Sequence, residues 1–214
     1  MFKVLTKGCE PTRGSKYSAC VDLYAAEDVV IGAGETKIIG LGVAIDHDYL
    51  HDNVDMWCGH PYPIKTPKEP NDFEKHKNEM HNKNFEWYMS HYYLQLMLHS
   101  SLGKKGLILP NGVGIIDLDH KDEIKMIIHN SINIQSDAVY FRGEHEAINA
   151  DDNCSVLEVH KKRNDIVNKY RDLVDYEIKK GDKIAQITLI EHKSYLFGID
   201  TDKESDGGFG STGS

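Results

Sequence analysis

No stretch of this 214-residue chain approaches the roughly 18 consecutive apolar residues that a membrane-spanning helix needs. Cysteine is sparse as well. The four thiols, Cys9, Cys20, Cys58 and Cys154, are scattered and form no CxxC pair, which argues against a disulfide framework. With an opening MFKVLTKGCEP that has no apolar signal region, this leads us to expect a cytoplasmic protein with free thiols. Positive charge is also short: 25 Lys and Arg face 34 Asp and Glu, for a net charge of -9. A broad basic surface for duplex nucleic acid is therefore not expected, whereas a local cationic pocket for a free nucleotide is compatible with the balance.

The length suits one domain carrying large insertions. Short β-branched runs broken by glycine read as antiparallel strands: Phe2 to Leu5, Val29 to Ile31, Thr36 to Ile39, Gly42 to Ile45, Tyr92 to Leu98, Ile124 to Ile128 and Ile184 to Ile190. Leu107 to Leu109 and Val113 to Ile116 flank Pro110-Asn111-Gly112, and Asn-Gly between apolar runs predicts a hairpin. Two segments break the β character. Residues 50–91 hold four of the six prolines and then Phe73, Met80 and Trp87 at sevenfold spacing, which predicts a helix from Asn71, as cap, with Glu74 at its third position. Residues 135–175 contain Ser155-Val156-Leu157-Glu158, a capping-box pattern, followed by Val159, Ile166, Val167, Tyr170 and Leu173 near one face. Both segments are read as insertions on a single domain spanning 1–214.

Polar residues cluster in five places where a plain β fold has no need of them. Asp22, in a strand-like stretch, either caps a turn or holds water near a cation. His99-Ser100-Ser101-Leu102-Gly103-Lys104-Lys105 follows a strand with the hydroxyls and ammonium groups that a phosphate-binding turn requires; a solvated turn is the plain alternative. Asn111 to His120 ends an apolar strand on Asp117, where partial desolvation would make a better general base. Gly181-Asp182-Lys183-Ile184-Ala185-Gln186 is a turn into a strand that carries an amide. Residues 204–214 close the chain with a glycine-rich run, which is either disordered or an anion-binding arm whose Phe209 covers a planar base.

Taken in order, these segments resemble the five motifs of the trimeric dUTPase family. The resemblance covers residues 1–49, 92–134 and 176–214, with Asn111 to Asp119 similar to the third motif, Gly181 to Gln186 to the fourth and Gly207 to Gly213 to the fifth. It implies a mainly β, distorted jelly-roll or β-barrel domain, a homotrimer with shared active sites, and Mg2+-dependent hydrolysis of dUTP to dUMP and pyrophosphate. Asp117 falls on the catalytic base. Asp22 and Gln186 hold the metal from an outer shell, through water, and Ser100, Ser101 and Lys105 meet phosphate. Asn111, Gly114 and Ile116 frame the uracil and His120 lies under the sugar. Phe209, Gly210, Ser211 and Thr212 close over the base and outer phosphates. Nucleic acid and membrane are not expected as partners; 135–175 is either simple decoration or a surface for a protein partner.

Three positions depart from the family. His99 and Glu204 stand where it usually has Arg, and each missing charge-assisted bond is worth about 1.5 to 3 kcal/mol, so the two together weaken triphosphate binding by roughly 100- to 10,000-fold unless Lys104, Lys105, Lys183 or Lys203 substitutes. His120 replaces the Tyr that rejects a ribose hydroxyl. The related dCTP deaminases place a catalytic Glu where this chain has Ile127, which argues against deamination. The alternatives are hydrolysis of another or modified deoxypyrimidine triphosphate, or a nucleotide-responsive regulatory protein on the same scaffold. His51, Cys58, His60, His76, His81 and His91 do not have the spacing of a zinc finger, so structural zinc is not expected.

Overall fold

A computed structural model describes residues 1–57, 73–132, 155, 157–162, 164–165 and 175–199. The chain runs through β1 (Phe2–Val4), β2 (Val21–Tyr24), β3 (Val29–Ile31), β4 (Thr36–Gly40), β5 (Val43–Ile45), α1 (His47–Trp57), α2 (Phe73–His91), β6 (Tyr92–Leu98) and α3 (Ser100–Gly103). It continues through β7 (Leu107–Ile108), β8 (Gly114–Asp117), β9 (Lys125–Asn130), β10 (Tyr176–Ile178) and β11 (Lys183–Glu191), then a 3-10 turn at Ser194–Phe197. The architecture is mainly β, as expected. Among the described residues every strand pairing is antiparallel, in the sets β1-β5, β10-β3, β2-β11-β6-β8 and β4-β9-β7.

Period-2 alternation decides which face of each strand turns inward. On β6, Leu94 and Leu96 are buried while Tyr93, Gln95 and Met97 form a half-buried outer row. On β9, Met126 and Ile128 face the core beside Leu107, Leu118 and Ile124. Strand β11 breaks the alternation at one point. A bulge between Lys183 and Ala185 turns two successive residues, Ile184 and Ala185, into the core. Gly42 is a close crossing: its φ is +65°, its carbonyl accepts from Leu5 and Thr6, and a Cβ there would sit 2.8 Å from Cys9 and Thr6.

The predicted Asn-Gly hairpin is not formed. The turn itself is present, with Gly112 at φ +75° and its N–H donating to the Leu109 carbonyl at 2.9 Å. Its two arms go to different sheets, β7 to β9 and β8 to β6. Pro110 supplies no N–H to a hairpin ladder, and β6 offers β8 four paired residues, Tyr93 to Leu96, where β7 has only two in total. The chain therefore uses this turn as a corner between sheets.

Helix α2 bears out a helix in the first inserted segment, but along a different stripe. Its fully buried residues are Asn84 and Tyr88, four apart, while Met80 and Trp87 are half-buried. Helix α1 went unforeseen. Asp46 caps it by accepting from the Tyr49 N–H at 3.0 Å, and Leu50 and Val54 bury its inner face. The predicted capping box at Ser155 is made: Glu158 Oε2 accepts from the Ser155 N–H at 2.9 Å and from its hydroxyl at 2.6 Å, ahead of helical residues 157–162. Asn71, Val156, Ile166, Val167, Tyr170 and Leu173 lie outside the described residues, as do Cys58, His60 and Cys154. No helix among the described residues is long and apolar enough to cross a membrane.

Candidate active site

Register brings the singled-out segments onto one sheet. Reading across β2-β11-β6, Asp22 lies opposite Gln186, and Gln186 opposite Met97. Asp22 is 4% exposed, and its main chain is tied to Thr12 by two hydrogen bonds, of 2.7 and 3.2 Å. The Gln186 amide donates to Asp22 Oδ1 at 3.1 Å, and the Lys183 ammonium reaches Oδ2 at 2.8 Å. Asp22 is thus neither a turn cap nor a bare carboxylate: the bulge in β11 places Lys183 beside it as a counter-ion.

That pairing sets the electrostatics. Burial is the largest single influence on Asp22 and opposes its charge, but the bonds from Lys183 and Gln186, with the charges of Lys183 and His99, outweigh it, so its pKa lies below the ordinary 3.8. Lys183 is raised, chiefly by its hydrogen bond to Asp22. A carboxyl depressed in the folded state adds stability that is present above its unfolded pKa and lost as pH falls through the folded one. Asp22→Asn should therefore lower the melting temperature at pH 7 and flatten its further decline below about pH 4, as thermal melts across pH 2 to 7 would record.

The turn after β6 begins at His99, whose N–H donates to the Ile184 carbonyl at 2.9 Å. Ser100 and Ser101 are exposed on α3, which Leu102 anchors in the core. The His99 ring folds back onto this turn, with Nδ1 2.7 Å from Ser101 Oγ and accepting from the Ser101 N–H at 3.3 Å. Lys105 donates to the Tyr176 hydroxyl at 2.8 Å, and this bond is the main cause of its raised pKa. Neither of these local engagements was visible in the sequence, because each depends on where a loop or a distant strand comes to rest.

Strand β8 holds the remaining positions. Asn111 is exposed in the turn before it, and Gly114 lies opposite Leu96, where a Cβ would approach the Leu96 Cβ to 3.0 Å. The Ile116 side chain packs onto the core. Asp117 closes the strand opposite Tyr93, and the half-buried His120 donates its N–H to the Asp117 carbonyl at 3.1 Å. Asp117 is exposed, so the partial desolvation expected for it is not present in the single protomer. The reason is positional: among the described residues β8 is the outer strand of its sheet, and Asp117 points away from the core.

Asp22 and Gln186 share a row with Met97, whereas Asp117 pairs with Tyr93. Four residue steps along β6 separate the two rows, about 14 Å at roughly 3.4 Å per residue. Phe209, Gly210, Ser211, Thr212 and Glu204 lie outside the described residues. Among the described residues, no three of His, Cys, Asp and Glu gather closely enough to cage a metal ion.

No protein-family model matches the chain, and no curated protein does. Solved structures resemble it over nearly its whole length. A dUTPase from Streptococcus mutans is 16% identical with a TM-score of 0.47, over 94% of this chain and 98% of that one. The dUTPase of Staphylococcus bacteriophage 80alpha is 19% identical with a TM-score of 0.48, over 98% and 97% of the two chains. The EIAV dUTPase is 15% identical with a TM-score of 0.44, over 98% and 100%.

Proposed function

We propose that this protein is a cytoplasmic dUTP diphosphatase, a divergent member of the trimeric dUTPase family, releasing dUMP and pyrophosphate. One observation carries the reading. Four segments separated by up to 164 residues along the chain meet on one sheet, Asp22 on β2, Gln186 on β11, the Ser100–Ser101 turn at the end of β6, and Asp117 on β8. Asp22 and Gln186 share one row near the end of β6 that leads into the Ser100–Ser101 turn, and Asp117 lies on the outer strand of the same sheet, four residue steps of β6 away.

In the proposed reaction a water oxygen attacks the α-phosphorus while its proton passes to the Asp117 carboxylate, and the α–β bridging oxygen leaves with pyrophosphate. The exposed second edge of β8 offers main-chain N–H and C=O groups to a pyrimidine, and Asn111 stands at its mouth. Ser100, Ser101 and Lys105 would bind phosphate, His120 would support the sugar, and Phe209 to Thr212 would complete the site. Mg2+ would arrive on the triphosphate and neutralise its oxygens, which suits an ion that keeps several waters and seldom uses an all-protein cage. Asp22 and Gln186 fit that role through water: each Asp22 oxygen retains a lone pair after its bond to Lys183 or Gln186.

The test is pyrophosphate release with Mg2+ from dUTP, UTP, dCTP and dTTP. Release from dUTP and none from dTTP is expected, because a base paired to the β8 main chain would leave no room there for a C5 methyl. His120→Tyr should raise the preference for dUTP over UTP if the imidazole has relaxed the sugar filter. No release from any of the four would overturn the dUTP diphosphatase and leave a modified deoxypyrimidine triphosphate as substrate, or a nucleotide-responsive regulator that contacts a protein through 135–175. One observation favours an altered triphosphate affinity over the family's usual one: His99, in place of Arg, spends its ring on Ser101.

A further inference from the structure

The first inserted segment ends in a chain of adjoining rings that reaches the far end of β11. On α2, Trp87 stacks on His91 with centroids 4.2 Å apart, and His91 lies 4.2 Å from Tyr195 in the 3-10 turn after β11. The His91 ring is held in place, with Nδ1 2.7 Å from the Trp87 carbonyl oxygen and 2.9 Å from Ser90 Oγ. Main chain joins the same elements, since the His192 N–H donates to the His91 carbonyl at 2.8 Å. The base of α2 is itself fixed: Tyr88 is buried and stacks on Tyr92 at 4.9 Å, and the helix passes into β6 without a break.

Exposure singles out Tyr195 as the docked residue of its segment. It is 43% exposed, whereas Leu196, Phe197 and Ile199 are 70, 77 and 84% exposed. We infer that the first insertion anchors the root of the C-terminal segment, with Trp87 and His91 clipping Tyr195 so that α2 fixes the direction in which the chain leaves β11. His91 and Tyr195 are then positioning residues for the proposed hydrolase, and that consequence rests on the reading above. The bulk of α2 is thereby explained: a helix with no catalytic motif serves as a rigid post.

Hydrogen exchange on the full chain tests the clip without any turnover. The Leu196 and Gly198 amides, which donate to Lys193 and Tyr195 carbonyls, should exchange roughly 2- to 13-fold faster in Tyr195→Ala and His91→Ala, the factor that loss of one aromatic pair implies. Tyr195→Phe keeps the ring and should exchange as wild type. In the same variants KM for dUTP should rise, by no more than that factor because only the unclipped fraction is lost, with kcat held within about twofold, a split that simple destabilisation would not give. Unchanged exchange in Tyr195→Ala, or equal acceleration in Tyr195→Phe, would overturn the anchor. Absence of pyrophosphate release would sink the hydrolase and leave the exchange result to stand alone.

Discussion

Asp117→Asn should lower kcat for pyrophosphate release by roughly 10²- to 10⁴-fold, the span general-base catalysis supplies, while leaving the melting temperature where it was. The two halves of this expectation come from separate features. Asn keeps the shape of the side chain and can still hold a water, but it takes no proton, so the attacking oxygen must develop charge unaided. The fold of the protomer gives up nothing, because Asp117 is exposed there at the end of an edge strand, and Asn matches its size at any interface that covers it. A melt unchanged beside a collapsed rate assigns the residue to chemistry. Full activity in the variant would remove Asp117 from the mechanism, and with it the strongest reason for placing the reaction on β8.

What the sequence made legible was local, and what it hid was long-range. Strand positions such as Tyr92–Leu98 and Lys183–Glu191 followed from β-branched and alternating runs, and the Ser155–Glu158 capping box from a four-residue pattern. The hairpin failed because a turn motif specifies a change of direction and says nothing of the partners its arms will find; Pro110 and the longer ladder on β6 decided those. Asp22 and Gln186 could be singled out as residues, yet their mutual bond across 164 positions required the β2-β11 register, and the Lys183 counter-ion required a bulge that leaves no mark in composition. Helix α1 had a readable cap at Asp46 and a Leu50–Val54 pair, which the neighbouring prolines and histidines obscured. The deep stripe of α2 ran through Asn84, a polar residue that a hydrophobic periodicity does not count.

Two inactive variants should restore activity to each other. Within one protomer about 14 Å of β6 separates the base from the row that holds Asp22 and Gln186, and a general base must come within about 3 Å of the proton it removes. In the proposed reaction both act on one phosphorus and its oxygens, so the distance would be closed only if one copy supplied Asp117 and another the Gln186 row. The expected homotrimer provides that arrangement, and it would also cover the exposed face of β8 on which Asp117 stands. Gln186→Ala should be inactive alone through loss of the amide that orders Asp22, and Asp117→Asn through loss of the base. Co-expressed in equal amounts and assembled at random, they should recover about a quarter of wild-type turnover, because each shared site has one chance in two of an intact Asp117 and one in two of an intact Gln186. A site contained in a single protomer would recover none. That outcome would refute the shared-site geometry even if both residues proved essential, since every copy in the mixture would carry one of the two lesions.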